Sequence, residues 1–219
     1  LSPSAREHLT LVHQNTERML RLMNQILDFR KIQNQKMKLL IEETDLIPLL
    51  QKVMSSFKSI AEEKNINYQL TSTIQSVYSW VDRDKFEKIF FNLLSNAFKF
   101  TPENGKITVR LSSLTKEDTR WIRFTVANTG SMISAEHIRS IFDRFYKIDM
   151  HHAGSGIGLA LVKAFVELHK GTISVESDEK QGTVFTVDLP VQTCETILAE
   201  DSLKSSISAV PLNPASPGS

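Results

Sequence analysis

Several clusters of residues in this sequence have the types and spacing to handle a phosphorylated ligand. Asn92, Asn96 and Lys99 lie in an apolar-patterned stretch, 84–100. At about 100° per residue, Phe86, Phe90, Leu93 and Ala97 make one face of a helix, and the two amides and the ammonium fall within roughly 60° of arc beside it. A carboxamide offers a neutral oxygen to a hard cation, and an ammonium meets phosphate oxygens. Magnesium takes few protein ligands beyond the phosphates it bridges, so one or two Asn side chains suffice. The same amides would also suit a solvated helix edge. A second cluster, Gly154-Ser155-Gly156-Ile157-Gly158-Leu159-Ala160, directly precedes an amphipathic segment. Glycines let backbone N–H groups approach an anion, and a helix N-terminus favours negative charge. The run lacks the Gly-Lys-Ser/Thr ending of a Walker loop, and no strand leads into it as in a dinucleotide fingerprint. A flexible turn is the plain alternative. Asn128-Thr129-Gly130, at the end of a strand-like run, is either a turn or a hydrogen-bonding group presented to a base. Gly182-Thr183-Val184-Phe185 enters another strand, where the Thr183 hydroxyl could reach a ligand.

These residues need a scaffold, and the pattern around them supplies one. Ser2 and Pro3 read as an N-cap and first-turn proline. Leu9, Val12, Thr16, Met19, Met23, Ile26 and Arg30 then recur at alternating spacings of three and four. That is a narrow seam on a helix reaching about Lys38, suited to a helical hairpin or dimer. Its mate must lie outside this chain or on another copy. Beyond it, helices are expected over 47–63, 84–100, 135–142 and 157–169. Strands are expected over 67–73, 79–81, 106–113, 120–128, 172–177 and 184–189. Strands in pairs with helices between them predict an α+β fold, a two-layer α/β sandwich with a mixed sheet behind a long dimerisation helix. The expected division is a helix over 1–41, an α/β domain over 42–192 and a disordered linker or tail over 193–219. That tail holds six serines, with three of the seven prolines in its last nine residues.

Composition narrows the setting. A net charge of +1 gives no reason to expect a nucleic-acid partner. One cysteine, Cys194, excludes an internal disulfide and fits a reducing compartment. No apolar stretch approaches the roughly 18 residues that cross a bilayer. The chain itself is expected not to insert into a membrane, which is compatible with its being part of a longer membrane protein.

In order, the sequence carries N-L-L-S-N-A-F-K-F-T from Asn92, N-T-G-S-M-I from Asn128 and I-F-D-R-F-Y from Ile141. G-S-G-I-G-L-A-L-V-K follows from Gly154 and G-T-V-F from Gly182. These closely resemble the N, G1, F, G2 and G3 boxes of sensor histidine kinases, in the family's order and spacing, over residues 42–190. The leading helix resembles the second helix of that family's dimerisation and phosphotransfer hairpin, and D-F-R-K-I at its end is especially similar to hybrid two-component sensors.

The resemblance implies a GHKL-type ATP-binding domain. Asn96 would hold Mg2+, with Asn92 nearby and Lys99 on phosphate. Gly154, Gly156 and Gly158 would shape the phosphate loop, with Leu159 in the helix behind it. Asn128 and Gly130 would form the base box, with Thr183 near the base. Phe142 and Phe145 would anchor an ATP lid over 146–153, beginning at Tyr146. Implied partners are a second copy, as a homodimer through the hairpin helices, and a response regulator or receiver domain. The implied location is the cytoplasmic region of an inner-membrane sensor.

Two departures matter. The G1 box usually opens on Asp, whose carboxylate accepts from the adenine amino group; Asn128 keeps an acceptor but loses the charge, which puts about 1 kcal/mol of affinity at risk. Met132 replaces a later glycine and is expected to narrow the pocket. The family's phosphoacceptor sits in an S-H-E-[LF]-R-T-P-like stretch, and none of His8, His13, His137, His151, His152 or His169 lies in one. The chain is therefore expected to be a fragment beginning in the hairpin loop, able to bind nucleotide but not to phosphorylate itself. Two alternatives stand beside this: a docking or scaffold module of the same fold with weak nucleotide affinity, and an ATPase of the gyrase or heat-shock-90 type. The helix ahead of the domain argues against the second.

Overall fold

The structure, a computed structural model, describes residues 3–130, 132–148 and 155–193. The chain opens with α1 (Pro3–Gln33) and continues β1 (Ile41–Asp45), α2 (Leu46–Ser55), α3 (Lys58–Glu63), β2 (Asn67–Ser72) and β3 (Tyr78–Asp82). Then come α4 (Arg83–Phe100), β4 (Lys106–Lys116), β5 (Thr119–Asn128), α5 (Ala135–Ser140), α6 (Gly158–Leu168), β6 (Thr172–Asp178) and β7 (Gly182–Pro190). The main sheet has the order β2-β4-β5-β7-β6, with β2 and β4 parallel and every other pair antiparallel. A ribbon of β1 and β3 stands apart from it. Helix α4 packs between α2 and α6 and against β5, so one helical layer covers one mixed sheet. The expected two-layer α+β sandwich is what the chain forms.

Helix α4 is central because its sequence leaves it no other place. Phe86, Phe90, Leu93 and Ala97 recur on one face and are almost wholly buried. Phe86 and Phe90 lie 5.6 and 4.9 Å from the ring of Phe124 on β5, centroid to centroid. Asp82 starts the helix: its carboxylate accepts from the Lys85 N–H at 3.1 Å and from the Leu40 N–H at 2.9 Å. On the sheet, buried Asp188 accepts two bonds from Arg123 and one from Lys116, each 2.8 Å, which tie β7 to β5 and β4. Burial pushes the Asp188 carboxyl up, but these cations win and hold it below the usual carboxylate range.

Three elements differ from expectation. The helix expected over 47–63 is broken, because Ser56 and Phe57 donate to carbonyls three residues back and tighten the chain there. The tightening lets Phe57 sink between Phe91 and Phe98, each 5.1 Å away. Helix α1 ends at Gln33, short of Lys38. A turn with Gln35 at φ 51° redirects the chain, and Met37 beyond it packs on the core. Strand β1 was not foreseen; its five residues show no alternation and depend on β3 for pairing.

Candidate functional site

A cavity of about 920 Å³ opens between α4, the start of α6 and the ends of β5 and β7. That volume suits a nucleotide-sized ligand. Asn92, Asn96 and Lys99 line it from α4, and Asn128 and Thr183 from the sheet. Tyr146, Ser155, Gly156, Gly158 and Leu159 line it from the connecting segments and α6. The sequence-predicted residues are thus brought to one space, with two exceptions. Gly130 is not on the cavity wall; at φ 147° it packs so closely on α4 that a side chain would collide with the Phe100 carbonyl oxygen. Its place in the motif is explained by close packing. Gly154 lies outside the described residues, as do His151, His152 and the rest of the expected lid beyond residue 148.

The anionic end is built by two helices. Asn92 Nδ2 donates to the Lys88 carbonyl at 2.8 Å, which turns Oδ1 outward. A Cβ on Gly158 would stand 2.9 Å from that oxygen, so glycine is what lets α6 begin this close to α4. Helix α6 has no side-chain cap, and its leading N–H groups keep their capacity for an anion. Half-buried Asn96 lies one turn along from Asn92, and the Lys99 ammonium sits 4.7 Å from the Phe100 ring centroid on the exposed flank. Among the described residues no group of three His, Cys, Asp or Glu side chains is placed to hold a metal. The oxygen donors beside the phosphate-favouring helix end are neutral amides. Such a set fits a magnesium ion that takes most of its ligands from a bound triphosphate.

At the sheet end, Asn128 and Thr183 face each other in register across β5 and β7, and each is 4% exposed. Thr183 Oγ1 lies 2.8 Å from Ser177 Oγ, which accepts from the Ile133 N–H at 2.9 Å. These bonds fix the wall around the two side chains. Met132 lines the cavity but is 49% exposed, so it crowds the rim and leaves the interior open. Phe142 packs edge-on against Phe185, with centroids 6.4 Å apart. Phe145 meets Phe29 edge-on at the same centroid distance.

Two sets of contacts went unforeseen. His137 Nδ1 lies 2.6 Å from the Tyr146 hydroxyl and holds that ring at the cavity. From α1, Gln25 Nε2 donates to Asn92 Oδ1 at 3.4 Å and Gln25 Oε1 accepts from Ser155 Oγ at 3.1 Å. Nearby, the Lys88 ammonium meets Asp28 at 2.6 Å and Asp84 at 3.0 Å. Burial alone would lower the Lys88 pKa, yet the hydrogen bonds to these carboxylates hold it above the ordinary lysine value. The sequence signal available was the D-F-R-K-I stretch, where Asp28 pairs with α4 and Phe29 with Phe145.

Residues 81–193 match the family described as histidine kinase-, DNA gyrase B-, and HSP90-like ATPase. The chain is similar to histidine kinase P4 of Formosa agariphila, 35% identical over 84% of this chain and 14% of that protein. It is 35% identical to the sensor histidine kinase TmoS of Ectopseudomonas mendocina over 93% of this chain and 21% of that protein. The chain thus spans about a third or less of the curated relatives it matches. Full-length ShkA, solved in complex with AMPPNP, superposes with a TM-score of 0.73 at 27% identity, covering 89% of this chain and 40% of that one. The family model, the relatives and the shared fold agree, and the chain belongs to the histidine kinase-, DNA gyrase B-, and HSP90-like ATPase family as the ATP-binding catalytic domain of a sensor histidine kinase.

Proposed function

We propose that this domain binds magnesium-ATP with the triphosphate between the amide face of α4 and the N-terminus of α6, and presents the γ-phosphate to a histidine outside this sequence. The observation that carries the reading is the single cavity joining Asn92, Asn96 and Lys99 to Gly156, Gly158 and Asn128. Asn96 would supply a carboxamide oxygen to the metal, with Asn92 beside it. Lys99 and the leading N–H groups of α6 would meet phosphate oxygens. Magnesium, when bound, neutralises charge on the transferring phosphoryl group. The protein's share is positioning and fixed dipoles. Asn128 and Thr183 would receive the base.

The catalytic unit then covers residues 42–192, with the second hairpin helix lying within residues 1–41 and residues 193–219 as a linker or tail. We further propose a homodimer through α1 and a response regulator or receiver domain as the phosphate's destination. No helix among the described residues is long and apolar enough to cross a membrane. A cytoplasmic segment of a membrane sensor suits that and the family.

Calorimetric titration with ADP and ATP, with and without magnesium, tests the reading. Binding is expected, and Asn96→Ala should abolish its magnesium dependence while leaving the fold intact. The chain incubated alone with labelled ATP should take up no phosphate. A second reading, a docking module of the same fold, is favoured by the neutral Asn128 and by Met132 at the rim. Absence of any binding at millimolar nucleotide would establish that module in place of the kinase.

A further inference from the structure

We propose that Gln25 of α1 is a further residue of the nucleotide site, an internal competitor whose amide bridges two walls of the cavity and must leave when magnesium-ATP enters between them. The inference rests on the nucleotide reading above and adds to it a residue of the leading helix that sets the affinity.

Gln25 lies on the cavity wall, as do Asn92 of α4 and Ser155 just before α6. Its side chain touches both. Nε2 donates to Asn92 Oδ1 at 3.4 Å, and Oε1 accepts from Ser155 Oγ at 3.1 Å. The neighbours fix this orientation of the amide. Asn92 gives Nδ2 to the Lys88 carbonyl at 2.8 Å, so its oxygen is what faces Gln25, and an oxygen there calls for a donor. Ser155 Oγ accepts from the Ile157 N–H at 3.3 Å, which leaves its own proton for Gln25. One side chain thus completes a hydrogen-bonded path from α4 to the start of α6. Asp28, one turn further along α1, meets the Lys88 ammonium at 2.6 Å and seats the helix for this bridge.

The bridge and the ligand make opposite demands on the same atoms. A phosphate-bound cation, or a water of its shell, approaches Asn92 Oδ1 with positive charge, and the Gln25 N–H already presents positive charge there. Room around that oxygen is short, since a Cβ on Gly158 would stand 2.9 Å from it. In crossing from one wall to the other, the bridge also fills the span that the phosphates would enter. Both of its bonds are neutral and part-buried, and the one to Asn92 is long, so a ligand can displace them. Breaking them should weaken binding by about three- to tenfold. Linkage makes the effect reciprocal: a ligand opposed by the seated helix must itself unseat the helix by the same factor.

Calorimetric titration of the full chain with magnesium-ATP reads the competition. Gln25→Ala should bind about three- to tenfold more tightly than wild type. Gln25→Met, which keeps the side chain's length and volume but makes neither bond, should bind about threefold more tightly. A residue that merely props up the site would move affinity the other way when replaced. Equal or weaker binding by Gln25→Met would therefore overturn the inference and leave the kinase reading standing. In the wild type, hydrogen exchange at Gln25 and the α1 residues after it should speed up about threefold when magnesium-ATP is added. Greater protection there would equally overturn the inference. If neither the wild type nor either variant binds nucleotide, the inference and the reading beneath it both fall.

Discussion

At the scale of single residues, the site depends on side chains left out as much as on those present. Gly158→Ala would set a methyl 2.9 Å from Asn92 Oδ1, and either the amide or the first turn of α6 must give way. Magnesium-ATP affinity is expected to fall about tenfold with an unchanged circular dichroism spectrum, since a displacement of a few tenths of an ångström misplaces both phosphate-facing elements. Unaltered affinity would show that these helices do not share the ligand. His169 is a second residue with a measurable signature. Its Nε2 accepts from the Asp82 N–H at 3.1 Å and its Nδ1 faces the Phe165 carbonyl at 2.7 Å, so the ring is held neutral with its proton on Nδ1. Burial lowers its pKa, outweighing the opposing pull of Phe165 and Asp82. The unfolded chain takes up this proton below about pH 6.5 while the folded chain does not, so stability is lost as pH falls from there towards the folded pKa. The urea midpoint should drop between about pH 7 and about pH 5.5. In His169→Gln it should be lower at neutral pH but change less over that window.

Among elements, the relation of α1 to the domain decides how open the site is. Its C-terminal turns carry Gln25, Asp28 and Phe29 onto α4, Ser155 and Phe145. Asp28 is 8% exposed, and its carboxylate ties helix to domain by meeting the Lys88 ammonium at 2.6 Å. Lys88 is about a third exposed and keeps Asp84 as a second partner, so Asp28→Ala should cost only about 1 kcal/mol of global stability. The larger effect should be local. Hydrogen exchange at the C-terminal end of α1 should speed up about tenfold while α4 stays protected, whereas uniform exchange across both would place the tie elsewhere.

For the molecule as a whole, the exposed seam of α1 is the feature the domain does not use. Leu9, Val12, Met19, Met23 and Ile26 are 49–66% exposed on the chain alone, an apolar stripe longer than a soluble monomer tolerates. Covering it with a second α1 is the proposed assembly. Light scattering should give twice the chain mass, and the pair Val12→Lys with Met19→Lys should give a monomer whose nucleotide affinity is unchanged, because the stripe and the cavity lie on different parts of the chain. A wild-type monomer at high concentration would count against the homodimer.

Where periodicity is strong and the partners are close in sequence, the residues alone determined the outcome. The apolar face of α4, the strands β4 to β7 and the motifs around Asn92, Asn128, Gly156 and Thr183 all follow from local spacing and backbone chemistry. What only the tertiary structure decided are contacts between residues far apart. Phe57 breaks a helix because Phe91 and Phe98 receive it, and β1 is a strand because β3 pairs with it. His137 meets Tyr146, and Gln25 reaches Ser155 across 130 positions. No local propensity encodes these, since each exists only once two distant elements are packed. The close approach of Gly130 to the Phe100 carbonyl has the same cause. Its conformation was legible in the chain, but the surface it would touch was not.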